Sequence, residues 1–135
     1  MISDDFTDIL LQHKAREIEA MKLSNKILFE DTDCLTTLFY IGFLDDKGKE
    51  KNTALAEAIV QLNSYDLIMF LEPDVEFVQD GDRSEVIANE RKKYSNQIKD
   101  LYRQYGFEFE IINQNYQQRF EKAVLLINKM MEENN

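Results

Sequence analysis

Three short apolar runs, each set off from the next by a segment with helical spacing, constrain this chain more than any other feature. They are Lys26-Ile27-Leu28-Phe29-Glu30, Tyr65-Asp66-Leu67-Ile68-Met69-Phe70-Leu71 and Phe107-Glu108-Phe109-Glu110-Ile111-Ile112-Asn113. Each is too short for a globular helix and rich in branched and aromatic residues, the pattern of a buried strand. The first is closed by Asp31-Thr32-Asp33. The second stops at Glu72-Pro73-Asp74, because proline cannot donate to a ladder and biases Glu72 away from helical backbone. Strands are expected over residues 26–31, 66–71 and 107–113, with helices between them. Strict alternation of this kind predicts an α/β fold: a three-layer arrangement in which a parallel sheet is flanked by helices through right-handed crossovers.

The helical segments carry their own signals. Asp4 and Asp5 follow Ser3 at the positive end of a helix, and Phe6, Ile9, Leu10, His13, Ile18 and Met21 form its apolar stripe to about residue 24. Further helices are expected over 35–44, 53–63, 84–105 and 116–131. Gly106 is the natural stop of the fourth, and Phe120, Val124 and Ile127 form one face of the last, widened by Ala123 and Leu126. Residues 45–52 read as a charged, solvated loop. No repeat or linker divides the chain, and 135 residues fit one domain.

Charge then narrows the function. With 26 acidic against 16 basic side chains the formal charge is −10, which repels phosphate backbones and anionic headgroups. The nearest basic cluster, Arg91-Lys92-Lys93, is too small to reverse this, so neither nucleic acid nor membrane is an expected partner. A single cysteine, Cys34, excludes an internal disulfide and suits a reducing cytoplasm. No apolar stretch is long enough to span a bilayer, and a soluble cytoplasmic protein is expected.

In an open parallel sheet, ligands bind beyond the carboxyl ends of the strands, and those ends are polar here. After the first run come Asp31, Asp33, Thr36 and Thr37, carboxylates and hydroxyls suited to a hydrated magnesium ion and a sugar hydroxyl. Spacing alone favours a plainer role for Asp33 or Thr32, the N-cap of the next helix. After the second run come Asp74, Phe77, Asp80, Gly81, Asp82 and Arg83, with Arg91 on the helix that follows. Arginines there can clamp phosphates, or simply pair with Glu85, Glu90 or Asp100 on an exposed helix. Three other features read as structural. Gly42 to Glu50 has the wrong spacing for a phosphate loop, His13 is the only histidine, and Cys34 has an acidic neighbour that raises its pKa.

In order and content these segments resemble the ribosylnicotinamide kinase domain of NadR-type proteins, an AAA-like P-loop kinase family. Ile27-Leu28-Phe29-Glu30-Asp31-Thr32-Asp33-Cys34-Leu35-Thr36-Thr37 is similar to that family's strand and DTDxxTT segment. The stretch from Tyr65-Asp66 through Pro73-Asp74 to Asp80-Gly81-Asp82-Arg83 and Arg91 resembles its YD-strand, PD and DGxR lid pattern, with the lid over about 76–91. Asn115-Tyr116-Gln117-Gln118-Arg119-Phe120 resembles the turn that opens its last helix, and Asp5-Phe6 with Ile9 and Gln12 looks like the helix before the DTD strand.

The resemblance implies a P-loop NTPase-like fold and transfer of the ATP γ-phosphoryl group to nicotinamide riboside, giving nicotinamide mononucleotide in NAD biosynthesis, with Mg2+ as cofactor. It implies Asp31 as the magnesium-side carboxylate and Asp33, Thr36, Asp74, Phe77 and Asp80 on the nucleoside side. It makes Arg83 and Arg91 the cations of the lid, and places Tyr116 and Arg119 near the adenine. The family's GxxxxGK[ST] loop is not in this sequence. The chain therefore reads as the C-terminal part of a larger kinase domain, incomplete at its N-terminus and inactive by itself. Exposed sheet edges would then invite a homodimer, and the other expectation is a non-catalytic α/β association module.

Overall fold

The computed structural model describes residues 3–44, 47–73 and 84–134, with side chains from Glu90 onward in the last stretch. In chain order the elements are α1 (Ser3–Leu23), α2 (Cys34–Leu44), α3 (Lys49–Val60), β1 (Met69–Leu71), α4 (Ser84–Gln104), β2 (Glu110–Ile112) and α5 (Tyr116–Glu133). They fall into two compact units, Met1–Asn63 and Ser64–Asn135.

The first unit is helical among the described residues. α1, α2 and α3 pack on one another, and Phe6, Leu10, Leu35, Leu38, Ile41, Ala56, Ile59 and Val60 close its core. Only the first part of the expected α1 stripe is used: Ile9, Ile18 and Met21 are exposed. α3 begins at Lys49, not at residue 53, and two residues of the expected loop, Gly48 and Asn52, are buried. Asn52 is fully buried; its Nδ2 donates to the Ser3 carbonyl at 2.9 Å, and its Oδ1 accepts from the Thr7 hydroxyl. Polar side chains turned inward this way need partners, and the first turns of α1 supply them. Gly48 is packed against the same corner, where a Cβ would lie 2.6 Å from that of Ser3.

The run over 26–31 is a correction to the expected sheet. Its residues are irregular, not strand, and Phe29 is 67% exposed. A strand requires a neighbour for its N–H and C=O groups, and among the described residues of this unit every other element is a helix.

In the second unit, β1 and β2 pair in parallel with Phe70 opposite Ile111, joined through α4 in the expected β-α-β order. The ladder is extended by bonds from the Glu110 N–H to the Ile68 carbonyl and from the Glu72 N–H to the Ile112 carbonyl. Both strands are shorter than expected, since each ladder runs only as far as its partner does. Two described strands do not make the expected three-layer sheet. Phe70 and Phe109 lie 5.6 Å apart, and Tyr102 of α4 meets both Phe107 and Phe109 edge-on. Lys99 and Arg103, one turn apart on α4, lie over Phe70 and Phe109, covering ring faces with their stems and charge. α4 ends where Gly106 adopts φ +84, a conformation only glycine takes without cost. Of the expected inner face of α5, Phe120 and Val124 are exposed and Ala123, Leu126 and Ile127 are half-buried.

Candidate functional site

The acidic segment after α1 is a tight, strained turn. Thr32 has φ 65, a left-handed conformation that costs a β-branched residue about 1–3 kcal/mol. Directly after it, Asp33 Oδ1 accepts from the N–H groups of Leu35 at 2.9 Å and Thr36 at 3.4 Å. Asp33 is thus the N-cap of α2, worth about 1 kcal/mol, and the plainer reading of its spacing holds. The turn leaves Asp31 exposed and Thr36 half-buried on the first turn of α2.

Two elements converge beside this turn. His13 and Glu17, one turn apart on α1, offer ligand atoms that lie within 4.8 Å of one another and of Glu30. Lys14 pairs with Glu17 and donates to Asn63 Oδ1 at 2.9 Å. Although Glu30 is exposed overall, loss of water around its carboxyl, the hydrogen bond it shares with Glu17, and the charges of Glu17 and Asp33 push that carboxyl up to about 7. Burial pushes Glu17 up as well, but the Glu30 hydrogen bond and the Lys14 ammonium outweigh it, and Glu17 titrates below its ordinary range. Burial first, then the Asp33 charge, push the Cys34 thiol up to about 12; it accepts a hydrogen bond from Asn63 and is no nucleophile at neutral pH.

In the second unit the carboxyl ends of both strands are tied by side chains. Arg119 donates from Nη2 to the Glu72 carbonyl and from Nε to the Gln114 carbonyl at 2.8 Å. The Glu72 carboxylate pairs with Lys99, both largely buried. Asn115 caps α5 in a capping box with Gln118, directly after Gln114 takes φ 74. Arg119 is therefore bound to backbone at the strand ends, while Tyr116 is 74% exposed. A groove of about 510 Å³ runs along Asp66, Arg103, Glu108 and Glu110. It follows the amino-terminal side of the ladder, the wrong end for a ligand of a parallel sheet, and the strand ends are the better candidate.

The sequence-expected residues are thus distributed as follows. Asp31, Asp33 and Thr36 share one turn of the first unit, and Arg91, Tyr116 and Arg119 lie in the second. Asp74, Phe77, Asp80 and Arg83 lie outside the described residues. The Lys14, Glu17 and Glu30 cluster and the Lys99–Glu72 pair were not anticipated. The i, i+4 spacing of His13 and Glu17 was a usable signal for the first; nothing local announces the second.

The sequence profile of the AAA domain family matches residues 2–119, and the chain belongs to that family. Its domains have a P-loop NTPase-like α/β fold. Over 130 residues, 96% of this chain, it is 29% identical to the trifunctional NAD biosynthesis/regulator protein NadR of Salmonella typhimurium. The same protein of Escherichia coli K12 is equally similar. The likeness to the AAA-like kinase domain of NadR-type proteins therefore extends along nearly the whole chain. The chain spans 31% of the length of these relatives. No solved structure matches it.

Proposed function

We propose that this chain is the C-terminal part of a cytoplasmic kinase domain that transfers the ATP γ-phosphoryl group to the ribose hydroxyl of nicotinamide riboside in NAD biosynthesis. The observation that carries this reading is the similarity to NadR over 130 residues, which includes the strained, capped turn bearing Asp31. Magnesium takes hard oxygen ligands, and the exposed Asp31 carboxylate suits it; the ion's part would be to neutralise phosphate charge. Asp33 fixes that turn through its cap, and Thr36 follows on the nucleoside side. Arg83 and Arg91 would neutralise the transferring phosphoryl, Asp74, Phe77 and Asp80 would hold the nucleoside, and Tyr116 would face the adenine. Arg119 then holds the turn that carries Tyr116. The three layers of the family's sheet would be completed by strands outside these 135 residues, together with the phosphate loop, so the chain alone should not turn over.

Calorimetric titration with nicotinamide riboside, with and without magnesium-ATP, tests the reading. Saturable nucleoside binding with weak or no ATP binding is expected. Silence from both ligands in folded protein overturns it. In a version joined to a phosphate loop, Arg83→Ala should cut turnover strongly without unfolding the chain. The exposed apolar side chains Tyr116, Phe120 and Leu125 of α5 favour one second reading, an association module that dimerises; light scattering together with ligand silence would select it.

A further inference from the structure

We propose that His13, Glu17 and Glu30 form a site for a first-row divalent metal of the zinc class, separate from Asp31 and its magnesium-side role. The three ligand atoms come from two elements, α1 and the segment after it, and lie within 4.8 Å of one another. Donors around a tetrahedral zinc at 2.0–2.2 Å are roughly 3.4 Å apart, so the cluster must contract by little more than one ångström. Glu30 sits on an irregular, exposed segment and can make that movement by a rotamer change.

The donor set selects the metal. One imidazole nitrogen and two carboxylate oxygens match the three protein ligands that open zinc sites use, leaving a position for solvent. Magnesium and calcium prefer oxygen-only shells and are poorly served by a histidine. Charge favours an ion as well, because two carboxylates brought this close repel each other unless a cation lies between them. Lys14 holds Glu17 Oε1, which leaves the second oxygen of that carboxylate for the metal. Counting Glu17, Glu30, Asp33 and Lys14 in their charged forms with a neutral His13, a divalent ion brings this neighbourhood to zero charge.

The test is calorimetric titration of the full chain with zinc chloride, paired with thermal unfolding in its presence. One equivalent is expected to bind saturably and to raise Tm, because the ion stabilises only the folded arrangement. His13→Ala and Glu30→Gln should each weaken binding about tenfold or more while the far-ultraviolet circular dichroism is retained. If His13→Ala fails to fold, the exposed Glu30→Gln decides alone. Magnesium chloride in place of zinc should give no saturable heat that Glu30→Gln removes. Absence of saturable zinc binding, or binding that survives both substitutions unchanged, overturns the site and leaves Lys14 as the cation that completes the cluster.

Discussion

The Glu30 and Glu17 carboxyls interact closely enough to titrate apart, Glu30 pushed up to about 7 and Glu17 below its ordinary range. His13, Lys14 and Asp33 face the same pair. The unfolded Glu30 loses its proton near 4.5 and the folded one near 7, so between those values the folded state binds more protons and stability falls as pH rises. Glu17 acts in the opposite sense: lowered from 4.5, it makes the folded state gain stability as pH rises toward that value. Cys34, raised from 9.0 to about 12, adds a second decline in the alkaline range. Glu30→Gln should flatten the fall between pH 4.5 and 7, removing a slope of up to about one proton, and leave the alkaline decline in place. Urea midpoints measured across this range check it; an unchanged slope in the variant would show that the Glu30 carboxyl is not its source.

Helix ends and joints carry the next set of effects. Gly48 and Asn52 fix how α3 starts against α1, one by leaving room for Ser3 and the other by bonding Ser3 and Thr7. Gly48→Ala pushes a Cβ into Ser3 and should cost about 1–3 kcal/mol, read as a lower urea midpoint with an unchanged slope. Arg119 is the corresponding fastener of the second unit, satisfying carbonyls at both strand ends. Arg119→Ala should cost about 1–3 kcal/mol by leaving these acceptors without their charged donor; a stability equal to wild type would return Arg119 to a purely ligand-binding role. Some of these ends were readable in advance. The left-handed stop at Gly106 and the Asp33 cap follow from one or two residues acting on their own backbone. The irregular course of 26–31 was not, because a ladder requires a partner that the run itself does not specify, and the apolar face of α5 shows a helical period without saying what covers it.

Across the whole molecule the formal charge is −10, and self-repulsion of that size works against the compact state. Raising sodium chloride from about 0.02 M to about 0.5 M screens it and should raise Tm; a flat or falling Tm would mean that the Lys14–Glu17 and Lys99–Glu72 pairs outweigh the net repulsion. What the sequence determined by itself is what depends on neighbours along the chain: the order of helices and apolar runs, the caps, the absence of a phosphate loop, and the motif order that places the chain among AAA domains. Tertiary structure alone decided what depends on distant partners. It brought Glu30 to Glu17 and His13, drew Asn52 into the corner beneath Ser3, fastened Arg119 to two strand ends, and limited the ladder to the overlap of β1 and β2. Burial, coupled titration and ladder hydrogen bonds are properties of pairs, and one member of a pair does not carry them.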